Sequence, residues 1–559
     1  MQKIWKVKKP DSILQKKLQQ DLGISPFLAQ LLINRNITAA SSAKEFLDSG
    51  ISSLHDANLL PDIDKACRRI HKALKNKEKV LLFSDYDADG LTSLAVLKIA
   101  LGRLGLAHEH YLPHRLKEGY GLSEHSVQYA HTRGFNLIIT LDCGITNFKE
   151  IEELRKLNID VIVVDHHHLI SNKLPPAYAS INPKRPDSRY PYPDLAGVGL
   201  TYKLAGKLLD NLLEEELDLV CLGTIADVAP LIGENRILVK EGLKKLNTTK
   251  RLGLKSLIEI SGIKNKDIDT RYVSYILGPR INACGRIDSS EAALKLLLCS
   301  LEDDALALAQ ELHSKNKERQ RIEGKILNEA LSRIETEMDF SKERVIVLDQ
   351  EGWHQGVLGI VAAKLTDRFH RPAIVISFID GIGKGSGRSI ENFHLFEGLS
   401  ECREYLQAFG GHKRACGLSI LKNNLEGFKK SINQIAWRLG PQDLLPGLSI
   451  DLEMKLSDLS PGLLRELSLL EPFGQSNPKP LFSSSSLQIK SKPVVLGRDT
   501  LKFWVSDGRA AYPAIGFRMG NYLDLINSAK AVNLAYRLSL DNWQGKQQLQ
   551  LEIEDIRPA

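Results

Sequence analysis

The spacing of apolar and polar positions changes several times along the chain. From residue 1 to about 75 the apolar positions recur at helical spacing, interrupted at Pro10, Pro26 and Pro61, and predict an N-terminal helical segment. From residue 79 the pattern becomes α/β. Lys79–Phe83, Asn136–Leu141 and Ile159–Val164 are short apolar runs of strand length, while Leu94–Leu104 and Asn147–Leu157 have helical spacing. Fully apolar strands alternating with helices predict a parallel sheet covered on both faces. Residues 200–340 read as mostly helical. Within them Leu301–Glu335 runs without a proline and with one glycine, at 324, and predicts a long linker helix. A second, smaller α/β unit follows, with strand Arg344–Leu348, helix Val357–Arg368, strand Ala373–Ile376 and a glycine-rich loop at Gly381–Gly387. From about 447 the alternation has period two, as in Leu501–Val505 and Gln547–Ile553, and predicts a small β-barrel. The expected divisions are 1–75, 76–300, 301–340, 341–445 and 446–559.

Composition adds bounds. A chain of 559 residues is too long for one core, so three or four domains are expected. No apolar run approaches the roughly 20 residues of a membrane span. The opening residues Met1-Gln-Lys-Ile-Trp-Lys-Val-Lys-Lys are charged and lack a signal peptide's apolar stretch, so a cytoplasmic location is expected. Seven scattered cysteines without a Cys-x-x-Cys pair argue against a disulfide frame or a thiolate zinc site. The formal net charge of +7 permits an anionic partner without demanding one.

The candidate chemistry sits after the strands. The first runs into Ser84-Asp-Tyr-Asp-Ala-Asp-Gly90, the second into Asp142-Cys-Gly144, the third into Asp165-His166-His167-His168. In a parallel sheet the C-terminal strand ends share one edge, where ligand sites form. Carboxylates and imidazoles converging there need a cation, and this donor set suits manganese or magnesium better than zinc. A calcium loop is a poor alternative reading of Asp85-x-Asp-x-Asp-Gly90. Its twelfth position is Val96 instead of Glu, and a strand precedes it instead of a helix.

These motifs in this order resemble the DHH phosphoesterase family, with Gly223-Thr-Ile-Ala-Asp227 matching its fourth motif. Further matches resemble the RecJ-type branch, which degrades single-stranded DNA from the 5′ end. They are Tyr111-Leu-Pro-His-Arg115 with Glu118-Gly-Tyr-Gly121, Leu195-Ala-Gly-Val-Gly199, Asn282-Ala-Cys-Gly-Arg286, Gly352-Trp-His-Gln-Gly, Gly385-Ser-Gly-Arg-Ser389, Gly410-Gly-His-Lys-Arg-Ala-Cys-Gly417 and Glu471-Pro-Phe-Gly-Gln-Ser-Asn-Pro478. The resemblance implies a parallel-sheet DHH domain, a long linker helix, a second α/β domain and a C-terminal OB-like β-barrel. It implies a 5′ to 3′ exonuclease releasing nucleoside 5′-monophosphates in DNA repair and recombination.

By the same resemblance two divalent ions, manganese or magnesium, are held by Asp87, Asp89, Asp142, His166 and Asp227, with Asp142 bridging and Asp85 at the edge. His167 stands beside the scissile phosphate. Arg115, Tyr120, Arg280, Arg286 and His412 contact the strand or shape its cleft. The Gly385–Ser389 loop, through backbone N–H groups, Ser386 and Arg388, cradles a 5′ phosphate. Lys315, Lys317, Arg319 and Arg321 line the DNA channel or form a solvated helix face. Phe503, Trp504, Tyr512, Tyr536 and Trp543 are the aromatics available for stacking in the barrel, where half or more are expected in the core. Expected partners are single-stranded DNA and a helicase or single-strand binding protein, with no membrane, and the chain is expected to be a monomer. His114, His168, Cys284, Cys416 and Ser476 depart from the family pattern, and none removes a ligand. Two other readings stay open: a DHH phosphodiesterase acting on oligoribonucleotides or cyclic dinucleotides, and a scaffold that binds DNA without cleaving it.

Overall fold

The computed structural model describes residues 3–115, 117–497, 499–543 and 546–559, without the side chains of 542, 543, 546 and 547. The chain forms two compact units, Ser53–Leu444 and the combination of Met1–Ser52 with Leu445–Ala559.

In the larger unit the first sheet comprises β1 (Val80–Ser84), β2 (His108–Tyr111), β3 (Leu137–Leu141), β4 (Asp160–Val164) and β5 (Ala179–Ile181), in the order β2-β1-β3-β4-β5. Every pairing is parallel. Strands β1 and β3 are buried at every residue, as a sheet covered on both faces requires. The chain goes from β1 to one neighbour, β2, and then returns to the other, β3. That reversal opens a crevice at the C-terminal ends of β1 and β3. Around the sheet lie α1 (Ala88–Arg103), α2 (Phe148–Lys156), α3 (Gly197–Leu209), α4 (Leu217–Ala226) and α5 (Gly278–Ile287). β2 and β5 escaped the sequence reading because His108-Glu-His-Tyr111 is polar and Ala179-Ser-Ile181 is short.

The linker is α6 (Glu302–Glu337), 36 residues long. Its acidic first turn, Glu302, Asp303 and Asp304, suits the positive end of the helix dipole. Its buried positions are 305, 309, 312, 316, 319, 323, 326, 330 and 334, a single stripe at three- and four-residue steps. Arg319 lies in that stripe, so its expected place in a solvated or DNA-lining face is corrected. Arg319 donates to Asn316 Oδ1 at 2.9 Å and pairs with Glu323, which also meets Lys364. A buried guanidinium needs such partners, and α7 (Leu358–Phe369) supplies the lysine.

The second sheet comprises β6 (Ile346–Glu351), β7 (Ala373–Ile379), β8 (Ile382–Arg388), β9 (Leu406–Gly411) and β10 (Ala415–Leu421), ordered β9-β10-β8-β7-β6. Only β6 and β7 run parallel. The glycine-rich stretch expected to be a loop is the central strand β8. Its glycines make room for neighbours: a Cβ on Gly383 would lie 2.7 Å from the Phe378 ring, and one on Gly387 2.8 Å from Leu395.

In the other unit, strand Ile4–Val7 pairs in parallel with Gly447–Ile450. The helices Ser12–Leu22, Pro26–Ile33 and Ala40–Asp48 share one core with the C-terminal strands. The stretch 1–75 is therefore divided, because Ile63–Asn76 buries its apolar face in the larger unit. Among the C-terminal strands the pairings run from Phe482–Ile489 through Ala531–Trp543, Lys546–Pro558, Ala511–Phe517 and Thr500–Ser506 back to Phe482–Ile489. The circuit closes, so these five strands leave no edge between first and last.

Candidate active site

Five side chains converge at the crevice, each placed by the end of an element. Asp87 is the N-cap of α1, its Oδ1 accepting from the N–H groups of Asp89 at 3.0 Å and Gly90 at 3.2 Å. Asp89 accepts from Gly197 and Val198 N–H at 2.7 and 2.8 Å, so the first turn of α3 holds its carboxylate. A Cβ on Gly197 would lie 3.0 Å from both Asp142 Oδ1 and Asp89 Oδ2, which explains the glycine. Asp142 follows β3 at φ 59°, a left-handed conformation that Asp tolerates. His166 follows β4, and Asp227 ends α4. His166 Nε2 lies 3.1 Å from Asp142 Oδ1, 3.8 Å from Asp89 Oδ2 and 3.9 Å from Asp227 Oδ2. Val228, a β-branched residue at φ 62°, strains the backbone beside Asp227.

The cluster is electrostatically incomplete. Asp85 Oδ1, Asp142 Oδ1 and His166 Nε2 are buried without a hydrogen bond among the described residues. Burial, reinforced by neighbouring carboxylates, raises Asp85, Asp142 and Asp227 well above the usual carboxylate range and Asp89 to about 7. Burial and the nearby charge of His167 push His166 down to about 3, so its imidazole is neutral, as a metal ligand must be. Three groups of ligand atoms each fall within 4.8 Å: Asp89–His166–Asp227, Asp85–Asp87–Asp142 and, bringing in His167, Asp142–His166–His167. Hard carboxylates with one imidazole fit a pair of divalent cations.

His167 has the opposite character. Burial lowers its pKa, but the Asp165 carboxylate, 2.8 Å from Nδ1, outweighs burial and raises it to about 9. Asp165, although buried, is held at about 2 by that hydrogen bond and charge. Asp165 also accepts from the N–H groups of His167 at 3.0 Å and Ile145 at 2.9 Å. The imidazolium is thus oriented from behind by a carboxylate that belongs to none of these ligand groups. The Tyr120 hydroxyl donates to the Asp142 carbonyl at 3.0 Å and lies 3.1 Å from His167 Nδ1. Its ring remains half exposed.

A second cluster is cationic. Arg115 lies over the Tyr86 ring, 5.1 Å from its centroid. Arg286 donates weakly to the Gly356 carbonyl at 3.4 Å. Arg388 reaches Ser386 Oγ at 3.2 Å. Among the described residues none of the three forms a salt bridge. Burial lowers Arg286 to about 10, with Arg115 and Arg388 adding repulsion. Burial and Arg115 lower Arg388 as well. The expected backbone cradle is corrected: Gly385–Arg388 is paired to β7 on one side and β10 on the other, so its backbone N–H groups serve the ladders. The Ser386 and Arg388 side chains remain available.

Of the other expected site residues, Arg280 donates to Ile276 O at 2.6 Å and His313 Nδ1 at 3.3 Å, away from the metal-binding cluster. His412, from the second sheet's lobe, stacks edge-on with His168 at 6.1 Å, so His168 turns from the cluster to His412. Ser476 holds φ 62°, which accounts for the glycine it replaces. In the smaller unit Phe503 and Tyr536 are core residues, the Tyr512 hydroxyl donates to Leu459 O, and the Trp543 side chain lies outside the described residues.

Three family models match the chain: the DHH family N-terminal domain over residues 79–224, the DHHA1 domain over 342–438 and the RecJ OB domain over 450–555. The single-stranded-DNA-specific exonuclease RecJ of Bacillus subtilis is 38% identical over 99% of this chain and 70% of the relative. That of Escherichia coli is 33% identical over 96% of each. The chain belongs to the RecJ family of single-stranded-DNA-specific exonucleases. Crystal structures of RecJ from Thermus thermophilus agree. The Mn2+ complex superposes with a TM-score of 0.86 at 30% identity, covering 100% of this chain and 80% of that one. The Mg2+ complex has a TM-score of 0.80 at 28% identity, covering 100% and 78%.

In this RecJ-family chain the sequence reading missed the residues that hold the ligands in place. Asp165 was visible only as part of a motif. Asn182 and Lys184, just past β5, donate to the carbonyls of His167 and His166 at 2.9 and 2.7 Å. The signal was Asn182-Pro-Lys184 after a short strand, and it was passed over because β5 itself was.

Proposed function

We propose that this chain is a metal-dependent exonuclease that hydrolyses single-stranded DNA from the 5′ end, releases nucleoside 5′-monophosphates and serves DNA repair and recombination. One observation carries the reading: buried, unpartnered acceptors at Asp85, Asp142 and His166 share a unit with a salt-bridge-free arginine cluster. Asp87, Asp89, Asp142, His166 and Asp227, with Asp85 at the edge, would hold two divalent ions, manganese or magnesium. Such ions, when bound, activate a water and hold the oxygens of an in-line displacement at phosphorus.

The protein's own residues do the rest. His167, kept protonated by Asp165, stabilises charge on the scissile phosphate or gives its proton to the leaving oxygen. Arg388, Ser386, Arg286 and Arg115 bind the terminal 5′ phosphate by charge-assisted hydrogen bonds. Anchoring that terminus fixes which phosphodiester reaches the acidic cluster, and so gives the enzyme its polarity. No helix among the described residues is long and apolar enough to cross a membrane. A cytoplasmic monomer working beside a helicase or single-strand binding protein belongs to the same reading.

The test is digestion of single- and double-stranded DNA, labelled at either end, with manganese or magnesium. Mononucleotides released from the 5′ end of single strands are expected. Equal or better hydrolysis of short RNA or cyclic dinucleotides would overturn the substrate assignment. Activity no greater than that of Asp142→Ala would overturn the enzyme.

A further inference from the structure

Helix α5 meets the site at successive turns. Arg286, near its C-terminal end, belongs to the arginine cluster. One turn earlier Asn282 Oδ1 accepts from Ala88 N–H at 2.7 Å, at the start of α1 and between Asp87 and Asp89. Gly278 begins the helix against α4: a Cβ there would lie 3.3 Å from Ala226 Cβ, the residue before Asp227. The helix therefore runs from the phosphate pocket, past the acidic cluster, and beyond it.

Just before Gly278 the chain is π-helical over Val273–Leu277. A π-turn is rare and shifts the register of the side chains around it. Here Val273 and Leu277 stay buried while Tyr275 stands 79% exposed, the most exposed aromatic among the described residues. About one turn further on, Arg280 donates to the Ile276 carbonyl and to His313 Nδ1. No carboxylate pairs with Arg280 among the described residues. Burial lowers its pKa, and Lys317 adds a further positive charge near His313. An exposed aromatic about one turn from a guanidinium without a carboxylate partner is a combination suited to gripping single-stranded nucleic acid.

We propose that Tyr275, Arg280 and His313 form a nucleotide subsite on the 3′ side of the scissile phosphate, where Tyr275 stacks on a base and Arg280 holds a backbone phosphate. The subsite rests on the function proposed above. That function places the 5′ phosphate at Arg286 and the scissile bond at the acidic cluster, so a strand continuing along α5 arrives at Tyr275. From residue 286 to 275 the rise is about 16 Å, several nucleotides at the ~3.4 Å spacing of stacked bases.

The test compares Tyr275→Ala, Tyr275→Leu and Tyr275→Phe on a long 5′-phosphorylated strand and on a dinucleotide too short to reach the subsite. Expected for Ala and Leu is a KM about tenfold higher on the long strand, with kcat and dinucleotide hydrolysis unchanged, while Phe retains the wild-type KM. An abasic residue moved stepwise along the strand raises the wild-type KM at one 3′ position and at none for Tyr275→Ala. Wild-type KM in Tyr275→Ala on the long strand, or an equal loss on the dinucleotide, overturns the subsite while leaving the exonuclease reading intact. A wild-type protein that cleaves no single-stranded DNA overturns both.

Discussion

The acidic crevice of the first sheet and the arginine cluster, which draws Arg115 and Arg286 from the first sheet's lobe and Arg388 from β8, are built on opposite principles. In the crevice, backbone dipoles and caps gather carboxylates that repel one another: Asp89 takes two N–H groups from α3, and Asp87 caps α1. Even so, burial raises Asp85, Asp142 and Asp227 far above the usual range. In the arginine cluster, burial and repulsion from Arg115 lower Arg286 and Arg388, whose hydrogen-bond partners are carbonyls and a hydroxyl. The two clusters call for opposite counter-charges: cations suit the crevice, and an anion suits the arginines. A buried polar group is stable only when paired, so the two clusters favour partners of opposite sign, as the proposed function requires.

The largest effect comes from breaking the crevice. Asp142→Ala removes the oxygen that lies 3.1 Å from His166 and contributes to the Asp85–Asp87–Asp142 group. Activity on single-stranded DNA with manganese is expected to fall by roughly a thousandfold or more, with the far-ultraviolet spectrum unchanged. A residual rate within tenfold of wild type would separate Asp142 from the chemistry.

Next is the proton on His167. Asp165→Asn removes the carboxylate that keeps this imidazole protonated up to about 9. Its pKa should drop toward the ordinary value of about 6.5, and the basic limb of the pH–rate profile should move down with it. At slightly alkaline pH the rate is expected to fall about a hundredfold, the scale of a lost general acid. An unchanged basic limb would show that some other group titrates there.

The arginine side is weaker and more selective. Arg388→Ala is expected to raise KM for a 5′-phosphorylated strand by about tenfold, in keeping with one or two charge-assisted hydrogen bonds. The same variant should leave a 5′-hydroxyl strand almost unaffected. A uniform loss on both strands would assign Arg388 to the backbone instead of the terminus.

How far these two regions were legible in the sequence follows from the same contrast. The crevice is mostly local: three of its four motifs directly continue a strand whose apolar run announces it, as Asp142 continues Leu137–Leu141, and Asp227 alone ends a helix, α4. The arginine cluster is non-local. Its β8 strand looked like a loop because glycines usually mark loops, and only Phe378, Ile376 and Leu395 packing over them reveals the strand. The division of the N-terminal stretch was hidden for the same reason, since Ile4–Val7 finds its partner at Gly447–Ile450. Arg319 was misread because a buried stripe position can hold a cation when Asn316, Glu323 and Lys364 complete its network.

The smallest expected effect tests whether the crevice is strained without its cations. Asp89 titrates near 7 in the folded protein against about 3.8 for the ordinary carboxyl. Between those values the folded state binds more protons than the unfolded state, so stability falls as pH rises through that window. The metal-free protein should therefore lose a few degrees of Tm between about pH 4 and pH 7 from this group. Asp142→Asn removes a carboxyl that burial and Asp89 hold well above the usual range, and with it that group's own share of the slope, so the slope should flatten. Manganese should raise the wild-type Tm most at the alkaline end, where the carboxylates are ionised, and should raise that of Asp142→Asn far less. Arg388→Ala, which leaves the acidic cluster intact, should keep both the slope and the manganese response. Identical Tm–pH curves for wild type and Asp142→Asn would mean that the carboxylates are not the strained side of the comparison.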